Sequence, residues 1–147
     1  MVFRILTIAV PFLWFGLLGG ISFLEAPLKF QAPGITLGLG LGIGRLVFGV
    51  MNKIEIAFAL VLLVSIIIAK PTGKFVKISL ATVLLLLLLE TVWLLPLLDI
   101  RAQAVIDGTG TPFSNMHIVY IAFDAIKFLL LFALGVDLTK QNLKFAV

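Results

Sequence analysis

Four apolar stretches, each close to the roughly 20 residues that an α-helix needs to cross the hydrocarbon core of a bilayer, follow one another through most of a 147-residue chain. No other feature restricts the fold as much. With 62% of its residues hydrophobic, 12% charged and a mean hydropathy of +1.27, the chain lies far from the roughly half-apolar, quarter-charged balance of soluble domains. The expected fold is therefore all-α: an integral membrane four-helix bundle, residues 1–147 in one domain, with short interfacial segments after spans one and three.

The spans are placed at about residues 5–24, 46–69, 75–97 and 116–136. The first follows Arg4 and is longer than the apolar core of a signal peptide. No A-x-A site comes after it, so it reads as an uncleaved span. Gly16, Gly19 and Gly20 suit close helix approach. The span is expected to end at Glu25, and Ala26 to Gly34, with Pro27 and Pro33, to lie in the interface. Gly38, Gly40, Gly42 and Gly44 then recur at every second position; without a preceding strand they fit helix packing or a re-entrant segment better than a phosphate loop. Ile56 to Ala69 alone would span only about 21 Å, so the second helix must begin earlier, near Leu46, and carries Asn52, Lys53 and Glu55 into the membrane. Lys70 to Lys74 is a turn by its Pro71 and Gly73. Asp99 to Gly110 reads as a short amphipathic turn closed by Gly108 and Gly110, and Pro112 with Ser114 as N-cap opens the fourth helix.

Four spans put both termini on one side. Arg4, Lys70, Lys74, Lys77, Lys140 and Lys144 gather there, against Lys29, Arg45 and Arg101 elsewhere, so the positive-inside rule places both termini in the cytoplasm. No inverted repeat relates the two halves.

Depth along each helix, at 1.5 Å per residue, puts Lys53, Glu55, Glu90, Asp124 and Lys127 in one layer roughly 10 to 16 Å from the outer face. Charges there cost at least about 3 kcal/mol each unless neutralised, and opposite signs at one depth can neutralise each other. His117, Tyr120, Asp124 and Lys127, spaced three, four and three apart, form one stripe, and Asn52 and Glu55 share a face with Arg45 and Phe48. With Glu25, Asp99 and Arg101 near the outer end, the stripes describe a polar track from the outer surface inward. Two readings of the layer stand side by side: a salt-bridge network that fixes helix order, or a site for a cation, a proton or a small polar solute.

Other chemistry is thinly represented. Cysteine is absent, which removes disulfides, thiolate ligands and thiol nucleophiles. The eleven Lys and Arg form no basic run, so nucleic acid is not an expected partner. His117 is the sole histidine; it suits a hydrogen-bonding role near the helix start better than metal ligation, and its nearness to Ser114 does not make a catalytic triad. No cofactor motif is legible. Trp14 and Trp93 read as interfacial anchors.

The segments Gly44-Arg45-Leu-Val-Phe48 with Asn52-Lys53-Ile-Glu55, Leu95-Pro96-Leu-Leu-Asp99-Ile-Arg101, and His117-Ile-Val-Tyr120 with Asp124 and Lys127 resemble a family of small, uncharacterised bacterial four-span membrane proteins. Trp14, Gly16 and Pro27-x-x-Phe30 are also similar to a broader class of small four-span proteins. The resemblance implies a four-span fold in a bacterial inner membrane and brings no activity with it. Three roles are therefore expected to compete. They are ion, proton or solute handling at the charged layer as an oligomer, an accessory or assembly subunit of a larger membrane complex, and a membrane enzyme or binder acting on a lipid or quinone near His117, Tyr120, Arg45 and Arg101.

Overall fold

The computed structural model describes residues 1–111 and 115–144. Its four long helices are α1 (Val2–Gln31), α2 (Leu37–Ala69), α3 (Lys74–Ile106) and α4 (Asn115–Lys144), and no strand occurs among the described residues. Each is long and apolar enough to cross a membrane. Around the bundle α1 packs against α2 and α4, and α3 packs against the same two. The arrangement is thus a square, with α1 opposite α3.

Each helix turns one stripe inward, as a period of 3.6 residues requires. On α4 the stripe is Tyr120, Asp124, Lys127, Leu131, Leu134 and Leu138, all buried; on α1 it is Thr7, Val10, Pro11, Trp14 and Leu18. The remaining faces leave Leu, Ile and Phe side chains exposed along the whole length. A bilayer is the solvent that such a surface fits.

Several element boundaries differ from the sequence expectation. The first helix does not stop at Glu25: it widens into a π-helical stretch, Gly19–Glu25, and resumes through Ala26–Leu28 and a 3-10 turn, Lys29–Gln31. The third does not stop at residue 97 either. It widens at Glu90–Leu94 and continues as Leu95–Ile106, and that continuation contains no buried residue. Both widened turns end two residues before a proline, Pro27 or Pro96. Proline inside a helix lacks the N–H for the i→i−4 bond and crowds the carbonyl four residues back; widening the preceding turn relieves both, so the helix goes on where a break is expected.

The glycine ladder lies inside α2, beginning two residues after Thr36, whose hydroxyl accepts the Leu39 N–H as an N-cap. The expected start near Leu46 is therefore nine residues late. Two of the four glycines make a close approach: a Cβ at Gly40 would fall 2.3 Å from the Phe30 ring, and one at Gly44 3.3 Å from the Lys29 ammonium. Gly38 and Gly42 meet nothing within 4 Å. Likewise on α1 only Gly19 takes a neighbour, the Phe128 ring, while Gly16 and Gly20 face open space. Lys70 ends α2 in the left-handed region at φ 50°, and Gly73 at φ 109° completes the turn into α3. The expected helix start at Pro112 and Ser114 lies outside the described residues.

Candidate functional site

Four of the five layer residues converge. The Lys127 ammonium, 0% exposed, donates to Glu55 Oε1 at 2.7 Å and to Glu90 Oε2, and lies 3.0 Å from Asp124 Oδ1. Glu55 comes from α2, Glu90 from the first residue of the widened turn in α3, and Asp124 from the preceding turn of α4 itself. Each carboxylate is at most 1% exposed. One oxygen from each lies within 4.8 Å of the other two, a spacing that would suit a bound cation, and the ammonium is that cation.

Lys53 does not belong to the group. It is exposed on α2, and the reason is angular: two residues along a helix is a turn of about 200°, so Lys53 and Glu55 share a depth and face opposite ways. Asn52 does face inward, donating to Thr91 Oγ1 at 2.9 Å, while Thr91 donates to the Leu87 carbonyl.

Two side chains from α1 complete the cluster, and neither was singled out as polar machinery in the sequence. The Trp14 indole N–H donates to Glu55 Oε1 at 2.8 Å, and Trp14 is 0% exposed. It is a core residue whose polar edge meets a carboxylate, which corrects the expected anchor role; Trp93, by contrast, is exposed. Ser22, inside the first widened turn and half-buried, donates to Asp124 Oδ2 at 2.6 Å. Both widened turns thus deliver a residue to the cluster, Ser22 from one and Glu90 from the other. The signal for Trp14 was its place on the Thr7, Val10, Trp14, Leu18 stripe; for Ser22 no helical period applies, because the widened turn shifts its face.

Each carboxylate retains one buried oxygen that accepts no hydrogen bond: Glu55 Oε2, Glu90 Oε1 and Asp124 Oδ1. Buried polar atoms are paired in the great majority of cases. Three buried carboxylates thus share one ammonium while keeping oxygens that no donor satisfies.

The outer residues form separate pairs. Arg45 clasps Asp99 with two bonds, 2.5 and 3.0 Å, and donates to Gln103, which itself donates to Asp107. These contacts tie α2 to Leu95–Ile106, the continuation of α3 beyond its widened turn. Glu25 accepts from Lys29 at 3.2 Å, and the Lys29 ammonium sits 5.2 Å from the Phe48 ring and 5.6 Å from that of Phe30. Arg101 is exposed and has no ion-pair partner among the described residues. His117 is exposed on the first turn of α4, away from the cluster. Tyr120 is buried with its ring edge-on to Phe48, 5.4 Å between centroids. Phe48 and Tyr120 therefore interrupt the polar track expected between the outer end and the cluster.

Fold and site define an integral membrane protein of four helical spans built around a buried lysine and three carboxylates. No protein-family model, curated protein or solved structure matches the chain.

Proposed function

We propose that this protein binds and exchanges protons at the cluster of Glu55, Glu90, Asp124 and Lys127, and so moves or senses protons in its membrane. One observation carries the reading: three fully buried carboxylates face a single ammonium. Fully ionised, the group would hold two surplus negative charges, and each unneutralised charge in hydrocarbon costs several kcal/mol. Charge balance is met when two of the three groups are carboxylic acids. Glu55 Oε2 and Glu90 Oε1, buried and without hydrogen-bond partners, are the positions for those protons, since Asp124 Oδ1 faces the ammonium at 3.0 Å. Ser22 is the route by which a proton reaches Asp124, since its hydroxyl both donates and accepts and it alone of the cluster is half-exposed.

The reading extends to the setting. The resemblance to small bacterial four-span proteins supports a bacterial inner membrane, and the basic residues near the termini support their cytoplasmic placement. A packed square of helices has no central pore, so transfer across the membrane requires the cluster to change the side it opens to, in a homo-oligomer or a larger membrane complex.

Two measurements test it. In proteoliposomes with an internal pH dye and an imposed potential, wild-type flux should exceed that of empty vesicles, and Glu90→Gln or Glu55→Gln should lower it at least about tenfold, a typical share for a positioned proton-transfer group. Flux that the substitutions leave unchanged overturns transport. Infrared spectroscopy tests binding separately: a carboxylic acid C=O band at neutral pH should weaken in Glu90→Gln, and absence of any such band overturns proton storage. A structural joint is the second reading, favoured because every helix contributes to the cluster; it predicts intact infrared bands with no flux.

A further inference from the structure

Lys53 is the middle residue of the 33-residue α2, about 24 Å from either end at 1.5 Å per residue. It is exposed, and among the described residues no carboxylate pairs with it. Leu46, Gly49, Ala57, Leu60 and Val64 are exposed on the same stripe. With Lys53 among them they follow one another by threes and fours, the spacing of a seam along which one helix packs on another. A charge on such a face, ringed by side chains that suit lipid, is costly without a counter-ion. Its stem leans towards the Arg45 end of α2, because helical side chains tilt to the N-terminus. No free carboxylate waits there, since Glu25 and Asp99 are held by Lys29 and Arg45.

The neighbours of Lys53 leave room for a second helix. A Cβ at Gly49 would meet nothing within 4 Å, so its missing side chain serves no contact inside this molecule, although glycine is unfavourable in a helix interior. Gly49 and Ala57 stand one turn to either side of Lys53, and small residues so placed let another backbone come close. A second copy of this chain cannot supply the missing charge. A symmetric pair inserted in one sense brings Lys53 to Lys53, and the chain's seven carboxylates are all engaged. Glu55, Glu90 and Asp124 are buried around Lys127, and Glu25 and Asp99 are paired. Asp107 and Asp137, bonded to Gln103 and Gln141, lie just past the end of α3 and near the level of the α2–α3 turn, far from the depth of Lys53.

We infer that this face of α2 docks a transmembrane helix of a different protein, one that carries an Asp or Glu at the depth of Lys53. A lysine at a seam position costs stability in exchange for a defined partner and register, and the carboxylate across the seam supplies its counter-ion. The inference stands apart from proton exchange at the cluster, because Lys53 and Glu55 face opposite ways on α2.

Two designed peptides test it: a Leu-rich transmembrane helix with one Glu at its midpoint, and the same helix with Gln there. Resonance energy transfer between the labelled full chain and each peptide, in phosphatidylcholine vesicles, measures association. Wild type should prefer the Glu peptide by about fivefold to thirtyfold, the range of interhelical polar contacts in model peptides. Moving the Glu two turns from the midpoint should remove most of that preference. Lys53→Met should erase it, and Lys53→Glu should transfer it to a peptide with Lys at the midpoint; the position is exposed, so both variants keep the bundle. Equal association of the Glu and Gln peptides with wild type, the result for a lysine that only snorkels, overturns the docking face, and so does a preference that survives Lys53→Met. The chain has no cysteine, so Gly49→Cys gives a separate check in native membranes under mild oxidation. It should stay free of disulfide-linked homodimer; a homodimer would make the face a contact between copies and overturn the assignment to a different protein.

Discussion

Lys127 holds the interior together at the scale of single side chains. Its ammonium reaches carboxylates on two other helices and on its own, at 0% exposure. Methionine at this position keeps the unbranched stem and removes the charge. Lys127→Met should destabilise the protein by about 3–5 kcal/mol, the cost of breaking a buried ion pair from one side, read from denaturant titration of the purified protein in detergent micelles. Adding Glu55→Gln and Glu90→Gln to it should recover much of that loss, because two of the three carboxyl groups that the ammonium balances are then gone. A Lys127→Met protein as stable as the wild type would mean that the ammonium contributes nothing. Glu55, Glu90, Asp124 and Lys127 were legible in the sequence because helical rise converts residue number into depth. Lys53 was misplaced because depth says nothing of direction around the axis. Trp14 was missed because indole near a span end suits the interface as well as it suits a core with an acceptor, and only the neighbouring helix decides between them.

Elements are shaped by where helices touch and where they widen. Gly135 on α4 meets the Phe12 ring of α1, which would lie 2.9 Å from a Cβ, so the two helices approach here too closely for a side chain at this position. Gly135→Leu should cost about 1–3 kcal/mol through overpacking, measured by the same titration. Gly42→Ala, with nothing within 4 Å, should be neutral or stabilising by up to about 1 kcal/mol through helix propensity. A destabilised Gly42→Ala protein would show that the outward face of the ladder packs against another chain. The number and order of the helices followed directly from apolar length. Their ends did not, because Pro27 and Pro96 are read as breakers and the sequence does not announce a widened turn. That turn also explains why Ser22 reached the cluster unforeseen: inside Gly19–Glu25 the 3.6 period no longer assigns faces.

The whole molecule is polarised along its length. Arg4, Lys70, Lys74, Lys77 and Lys140 lie at the end that carries the α2–α3 turn, whereas at the other end Lys29 and Arg45 are engaged by Glu25 and Asp99. Orientation follows the distribution of Lys and Arg in short loops, so Thr72 should face the cytoplasm and Thr109 the outside. The chain has no cysteine, so Thr72→Cys and Thr109→Cys can each be read without background. In intact cells a membrane-impermeant maleimide should label Thr109→Cys, and should label Thr72→Cys only after permeabilisation. The reverse pattern would invert the protein, and labelling of both in intact cells would contradict a membrane crossing by α3, the one span between them. Orientation also fixes the sense of the proposed chemistry. Ser22 and Asp124 lie on the Thr109 side of the bundle's centre, with Val10, Leu62, Leu134 and Leu138 packed between the cluster and the Lys70 end. With Thr109 outside, the proposed proton exchange would open outward, and the apolar layer of Leu62 and Leu134 would be the barrier that any inward transfer has to open.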